Sequence, residues 1–215
     1  MVELPANPLA IELSLTNQEL WWQTKDDSDG VEYWRASADV WGLDPCPPDR
    51  RHVGLFRLAV VELNPERNLL DSLEVGEWEF EYIAETVLNL NDGTLVPELD
   101  AQISNGMQRM VILCGFELAE VWRGHGLAAP LIGATLGRFS ETARLAVCRI
   151  SPADFNGECP DRISAELTAL RLGALLERVG FFLWKGVYVV DLNDRALADA
   201  GFGLFRQWGP CGGDC

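Results

Sequence analysis

"MVILCGFELAEVWRGHGLAAPLIGATLGRF", residues 110–139, is the stretch on which the reading of the whole chain turns. Met110 to Val121 is mostly apolar, the pattern of a strand buried on both faces and central in its sheet. The run stops at Arg123-Gly124-His125-Gly126. Apolar residues then return at helical spacing from Gly126 to Phe139, with Leu127, Leu131 and Phe139 near one face. The order is strand, glycine-rich turn, helix. The start of a helix leaves backbone N–H groups unpaired and carries about half a positive charge, so an anion is stable there. Small residues at Gly124, Gly126 and Ala128 let a bulky diphosphate approach the backbone. Arg123 at the entrance adds a charged fork. The same residues also fit an ordinary strand–turn–helix joint.

Downstream, Ala143 to Ile150 reads as another strand. Asp161, after Pro160, caps a helix that reaches Val179, with Ile163, Leu167, Leu170 and Ala174 turned inward and Gly180 closing it. "FFLWKGVYVVDL" is a hairpin turning at Lys185-Gly186. Upstream, Ala10–Asn17 alternates apolar and polar residues, Val31–Gly42 is similar and aromatic-rich, and His52–Asn64 is a long buried strand. Between Leu69 and Leu88 the period becomes helical. Leu73, Phe80, Ile83 and Val87 share one face and Glu74, Glu77, Glu81 and Glu85 another, with Gly76 as a gap. "GLDPCPPDRR" and "TLVPELDAQISNG" read as loops. Alternation of this kind implies an α/β protein with a mixed sheet and helices packed over it. The expected organisation is a β-rich extension over residues 1–50 packed on the same domain, a core over 51–195 and a C-terminal tail over 196–215.

The composition, 48% hydrophobic and 23% charged, supports a buried core. A net charge of −16 opposes nucleic-acid binding, which needs basic patches. It favours cationic partners. Cys46, Cys114, Cys148, Cys159, Cys211 and Cys215 form no Cys-x-x-Cys pair, and with only His52 and His125 to add nitrogen ligands, no zinc spacing and no metal are expected. Asp26, Asp27 and Asp29 lack the spacing of a calcium loop. No signal peptide and no membrane span of about 18 apolar residues are read. A reducing, cytoplasmic compartment follows as the expectation.

Arg123-x-x-Gly126-x-Ala128, after a central strand and opening a helix, resembles the acyl-CoA-binding motif of the GNAT (Gcn5-related N-acetyltransferase) superfamily. "LLERVGFF" (Leu175–Phe182) is similar to the end of that superfamily's following helix, commonly Tyr-x-x-x-Gly-Phe, and the order of elements from His52 to Leu192 matches as well. "LLDSLE" (Leu69–Glu74) before a helix is similar to an actinobacterial group of GNAT-like proteins. The resemblance implies a GNAT-like fold in which the strand ending at Val121 and the strand ending at Ile150 splay apart. The pantetheine arm of acetyl-CoA would lie in that gap and pair with backbone at Phe116 to Leu118. The pyrophosphate would meet Gly124, His125, Gly126, Leu127 and Ala128. An amine acceptor, a small molecule or a protein, would attack the thioester directly.

The chain departs from the pattern at three points. The position of the frequent general acid is Leu176, which has no proton to donate, so that role passes to a group such as Tyr188 or Ser151, or to water. Pro130 falls inside the cofactor helix. The net charge opposes a polyanionic cofactor, although screening over about 8 Å leaves local donors decisive. Glu117 and Glu120, near the end of the central strand, are the candidate bases for the amine. Trp122 is read as packing against the turn, and Trp21, Trp22, Trp34 and Trp41 as core or interface anchors. The glutamate stripe is a wet helix face, or a lure for a cationic amine if it rims the acceptor cleft. A homodimer is compatible with the chain. The competing reading is a catalytically inactive GNAT-fold module that senses CoA or binds a protein.

Overall fold

The computed structural model describes residues 4–17, 31–63, 78–89, 91–155, 157 and 159–209. Seven strands form one sheet: β1 (Ile11–Asn17), β2 (Val31–Val40), β3 (His52–Glu62), β4 (Arg109–Leu118), β5 (Leu145–Cys148), β6 (Phe182–Trp184) and β7 (Val187–Asp191). Their spatial order is β1-β2-β3-β4-β5-β7-β6. All neighbours are antiparallel except β4 and β5, which run parallel. Six α-helices lie among the described residues, besides four short 3-10 turns: α1 (Trp78–Val87), α2 (Pro97–Asp100), α3 (Ala128–Gly137), α4 (Arg162–Val179), α5 (Arg195–Gly201) and α6 (Gly203–Trp208). The class is therefore mixed α/β. Trp21, Trp22, Asp26, Asp27, Asp29, Leu73, Glu74, Gly76, Glu77, Cys211 and Cys215 lie outside the described residues.

The period of two along the strands builds two apolar layers. On one face Val60, Val111, Ala146 and Val190 meet Leu131, Ile132 and Leu136 of α3, Leu176 and Val179 of α4 and Leu197 of α5. On the other, Val61, Met110, Ile112 and Val189 meet Phe80, Ile83 and Val87 of α1 and Leu99 of α2. The two sides of the sheet are thus covered by helices, which is why β4 and β5 read as continuous apolar runs. β1 pairs with β2 and β2 with β3, so Ile11–Asn17 and Val31–Val40 belong to the same sheet as the rest. The turn of the β6–β7 hairpin has φ of 47° at Lys185 and 90° at Gly186. Positive φ at both central residues matches the twist of the flanking strands.

The helix expected over 69–88 is described as α1, and residues 69–77 lie outside the described residues. Three elements differ from expectation. A single helical turn, α2, interrupts the loop after Val96, with Pro97 at its first position, where a missing N–H costs nothing. Residues 195–208 are two short helices rather than a tail. Gly133 of α3 lets α5 come close, since a Cβ there would lie 2.7 Å from the Gly201 nitrogen.

The third difference is the orientation of α4. Its caps are as expected: the Asp161 carboxylate accepts from the Ser164 N–H at 2.8 Å, and Gly180 adopts φ 108°. Its inward face is not the expected one. Ile163, Leu167 and Leu170 are 70%, 47% and 69% exposed, and Ala174 is exposed as well. Ala165, Gly173, Leu176 and Val179 are buried instead. The helix carries two apolar stripes. The stripe containing small residues faces the sheet because only it lets the helix lie close to Tyr188 of β7: a Cβ at Gly173 would overlap the Tyr188 hydroxyl.

β4 and β5 pair at Met110–Leu145, Val111–Ala146 and Ile112–Val147. No further β4–β5 pair is present among the described residues. β4 continues to Leu118 while β5 stops at Cys148, so the two part at their C-terminal ends. The register between β3 and β4 also slips by one residue at this level. Arg57 is opposite Gly115 and Leu58 opposite Leu113, leaving Cys114 as a bulge.

Candidate functional site

The strand expected to run to Val121 ends at Leu118, and Glu120–Trp122 forms one tight turn. Trp122 is fully buried under it and donates its indole N–H to the Arg50 carbonyl at 3.0 Å. The chain then crosses Gly124 at φ 81° and Gly126 at φ 76°. Such angles strain any residue with a Cβ. A Cβ at either glycine would meet nothing within 4 Å. Backbone conformation, not crowding, therefore calls for glycine, and the space before both residues is open.

α3 begins at Ala128, two residues later than expected, with Leu127 as its cap. This shift disposes of the difficulty posed by Pro130. The first helical bond closes from Leu131 N–H to the Leu127 carbonyl at 3.1 Å. Pro130 is then the third helical residue, where an N–H has no helical partner in any case. No side chain caps the helix start.

These residues line one cleft of ≈ 270 Å³. Leu118, Gly124, Gly126, Leu127 and Ala128 form one wall. The opposite wall is α4, through Arg171, Leu172, Leu175 and Arg178. The two arginines, seven residues apart and so on one side of the helix, were missed in the sequence. Their signal was that spacing, hidden because the opposite stripe of α4 was read as its buried face. Among the described residues neither makes a salt bridge or hydrogen bond. Arg109, Arg123, Arg144, Arg162, Arg195 and Arg206 each hold a carboxylate. Two guanidiniums beside uncapped backbone N–H groups make the cleft a place for a polyanion.

The other candidates are placed as follows. Arg123 folds back on its own turn, donating to the Leu118 carbonyl at 2.6 Å and to Glu117 at 3.1 Å. It braces the strand end and does not line the cleft. Phe116 packs on the α3–α4 side of the sheet and stacks on Phe56 at 6.2 Å. Glu117, between Phe116 and Leu118, points to the other side and its side chain is 78% exposed. Glu120 is exposed beyond the strand end, and His125 is half-buried without lining the cleft. Leu176 is wholly buried and is core. Glu81 and Glu85 are exposed on α1.

Tyr188 is opposite Cys148 across β5–β7 and packs on the same side of the sheet as the cleft. Its hydroxyl is turned toward α4 at Gly173, one turn before Leu176. Burial, then the charges of Glu177 and of Cys148, raise its pKa above the ordinary value of 10.0. The phenol is therefore protonated at neutral pH and able to donate.

No helix among the described residues is long and apolar enough to cross a membrane. Among the same residues no group of three or more His, Cys, Asp or Glu side chains is placed to hold a metal ion. No family model matches this chain, and no curated protein or solved structure matches it.

Proposed function

We propose that the chain is a GNAT-type N-acetyltransferase that takes acetyl-CoA into the cleft between β4, α3 and α4 and transfers the acetyl group to an amine. The observation that carries this reading is the convergence, in one cleft, of the open glycine turn, the uncapped start of α3 and two arginines that have no partner among the described residues. Beside it, the one parallel strand pair among the described residues parts, which supports the same reading. The N–H groups from Gly124 to Ala128 would hold the diphosphate, with Arg171 and Arg178 facing it. The β4 edge from Phe116 to Leu118 would pair with the pantetheine amides.

In the reaction, the acceptor nitrogen attacks the thioester carbonyl, its C–N bond forms and the C–S bond breaks. The amine proton passes to a carboxylate, Glu120 or Glu117, directly or through water. The thiolate takes a proton from Tyr188, a phenol supplied by β7 where the helix itself carries leucine. The acidic surface would draw a cationic acceptor. A second reading rests on Leu176: the fold binds CoA without catalysis, as a sensor or docking module.

The test is a thermal-shift titration with acetyl-CoA and CoA, with ATP as the anion control. A ligand at about a hundred times its Kd stabilises by about 2.7 kcal/mol, a shift of about 5–10 °C for a chain of this size. A shift with both CoA species and none with ATP is the expected result. No shift would sink both readings. A shift with no thiol release across a panel of amines would leave the second.

A further inference from the structure

The solvent face of α4 carries a row of exposed apolar side chains that do not line the cleft. Ile163, Leu167, Leu170 and Ala174 follow one another at spacings of four, three and four residues, a heptad seam. The first three are 70%, 47% and 69% exposed. A stripe of this kind on a monomer loses the stabilisation that covering it would supply. The helix is already built and capped within the domain, so a partner gains its apolar area without ordering a new helix.

We infer that α4 pairs in parallel with α4 of a second copy of this chain. The charges beside the seam select that occupant and that direction. Glu166 flanks the seam on one side and Arg171, five residues on, flanks it on the other. In a parallel two-fold pair the residue on the first flank meets the residue five positions later on the partner helix. Glu166 therefore meets Arg171 of the second copy, twice by symmetry. In an antiparallel pair each flank meets its own counterpart, which sets Glu166 against Glu166 and Arg171 against Arg171. Glu166 is held in the monomer by Arg162 at 2.9 Å, but that pair lies in solvent and contributes little.

The seam spans only two heptads and is smaller than a standard interface of about 1,600 Å². Association is accordingly expected in the micromolar range. Arg171 belongs to both the seam and the cleft, so dimerisation brings a partner carboxylate to the mouth of the cleft. The apolar seam itself does not involve the cleft's ligand, whereas a polyanion bound there would compete with the partner's Glu166 for Arg171.

Sedimentation velocity of the full chain from low to several hundred micromolar tests this. The wild type is expected to shift reversibly from monomer to dimer. Leu167→Glu, at an exposed position, should stay monomeric with an unchanged circular dichroism spectrum. Glu166→Arg should weaken the dimer about tenfold, and Glu166→Arg/Arg171→Glu should recover most of that loss. A wild type that is monomeric throughout, or a dimer indifferent to Leu167→Glu, would overturn the proposal. Failure of the charge exchange to recover association would overturn the parallel pairing. A monomer whose Leu167→Glu variant melts several degrees lower would mean that the same chain covers this face, which also overturns it.

Discussion

Gly126 and Gly173 are glycines for different reasons, and each reason gives its own prediction. Gly126 has φ 76° with open space before it. Gly126→Ala should cost about 1 kcal/mol in backbone strain and still fold. Gly126→Glu puts a carboxylate where the polyanion would sit and should abolish CoA binding by calorimetry. CoA binding unchanged by Gly126→Glu would remove the cleft as the cofactor site. Gly173 sits inside a helix, where propensity alone makes Ala better by about 1 kcal/mol. The Tyr188 hydroxyl occupies the space its side chain would need. Gly173→Ala is therefore expected to destabilise by about 1–3 kcal/mol, and Tyr188→Phe in the same chain to relieve part of that loss, the ring carbon beneath the hydroxyl remaining 2.9 Å from the added Cβ. A denaturant-melting double-mutant cycle with no coupling would show that the hydroxyl is not held there.

The strands and helix ends were legible because each is fixed by local chemistry: alternation in β1, a carboxylate cap at Asp161, glycine at Gly180. The facing of α4 was not. Both of its stripes are apolar by composition, and the choice between them is made by Tyr188, a residue on a strand that comes after the helix in the chain. The arginines of the cleft were hidden for the same reason. Arg144 is another case: nothing in the sequence singles it out within the expected strand Ala143–Ile150, yet it is 3% exposed, paired with Asp100 at 2.8 Å and bonded to the Ser104 and Ile103 carbonyls. Only the tertiary position of the loop after α2 makes it core. The glycine turn was legible as a motif, while the opposite wall of its cleft was not. That wall has its own test. Arg178→Gln, which leaves the backbone donors intact, should weaken CoA about tenfold and flatten the salt dependence of its Kd. An affinity and salt slope equal to wild type would leave the cradle without its facing charge.

At the scale of the molecule, the raised pKa of Tyr188 becomes a dependence of stability on alkaline pH. The folded state holds the phenol proton more tightly than the unfolded chain, whose tyrosine titrates near the ordinary 10.0. Between that pH and the higher folded pKa the native state binds more protons, so stability falls as pH rises. Below it the group contributes no slope. Urea midpoints measured from pH 8 upward should therefore decline less steeply in Tyr188→Phe than in wild type once pH 10 is passed. Parallel curves would show that Tyr188 titrates as it does in water. The same pair of proteins separates structure from chemistry. If Tyr188 protonates the leaving thiolate, Tyr188→Phe lowers kcat by about 10²-fold at about pH 7 with the affinity for acetyl-CoA unchanged.

The bulge at Cys114 resets the parity of β4. Before it, the odd-numbered Val111 and Leu113 face α3 and α4, and after it the even-numbered Phe116 and Leu118 do. A strand counts in twos, and one supernumerary residue changes which half of the count is indoors. Were the strand to run through Cys114 without bulging, its length unchanged, Glu117 would be driven among the leucines of the inner layer and Phe116 turned out to water. The bulge thus absorbs one residue that a regular strand could not hold. Deleting Cys114 would straighten the ladder and leave Phe116 and Leu118 facing α3 and α4, whereas forcing all of its residues into a regular pleat would reverse every one between the bulge and the cleft.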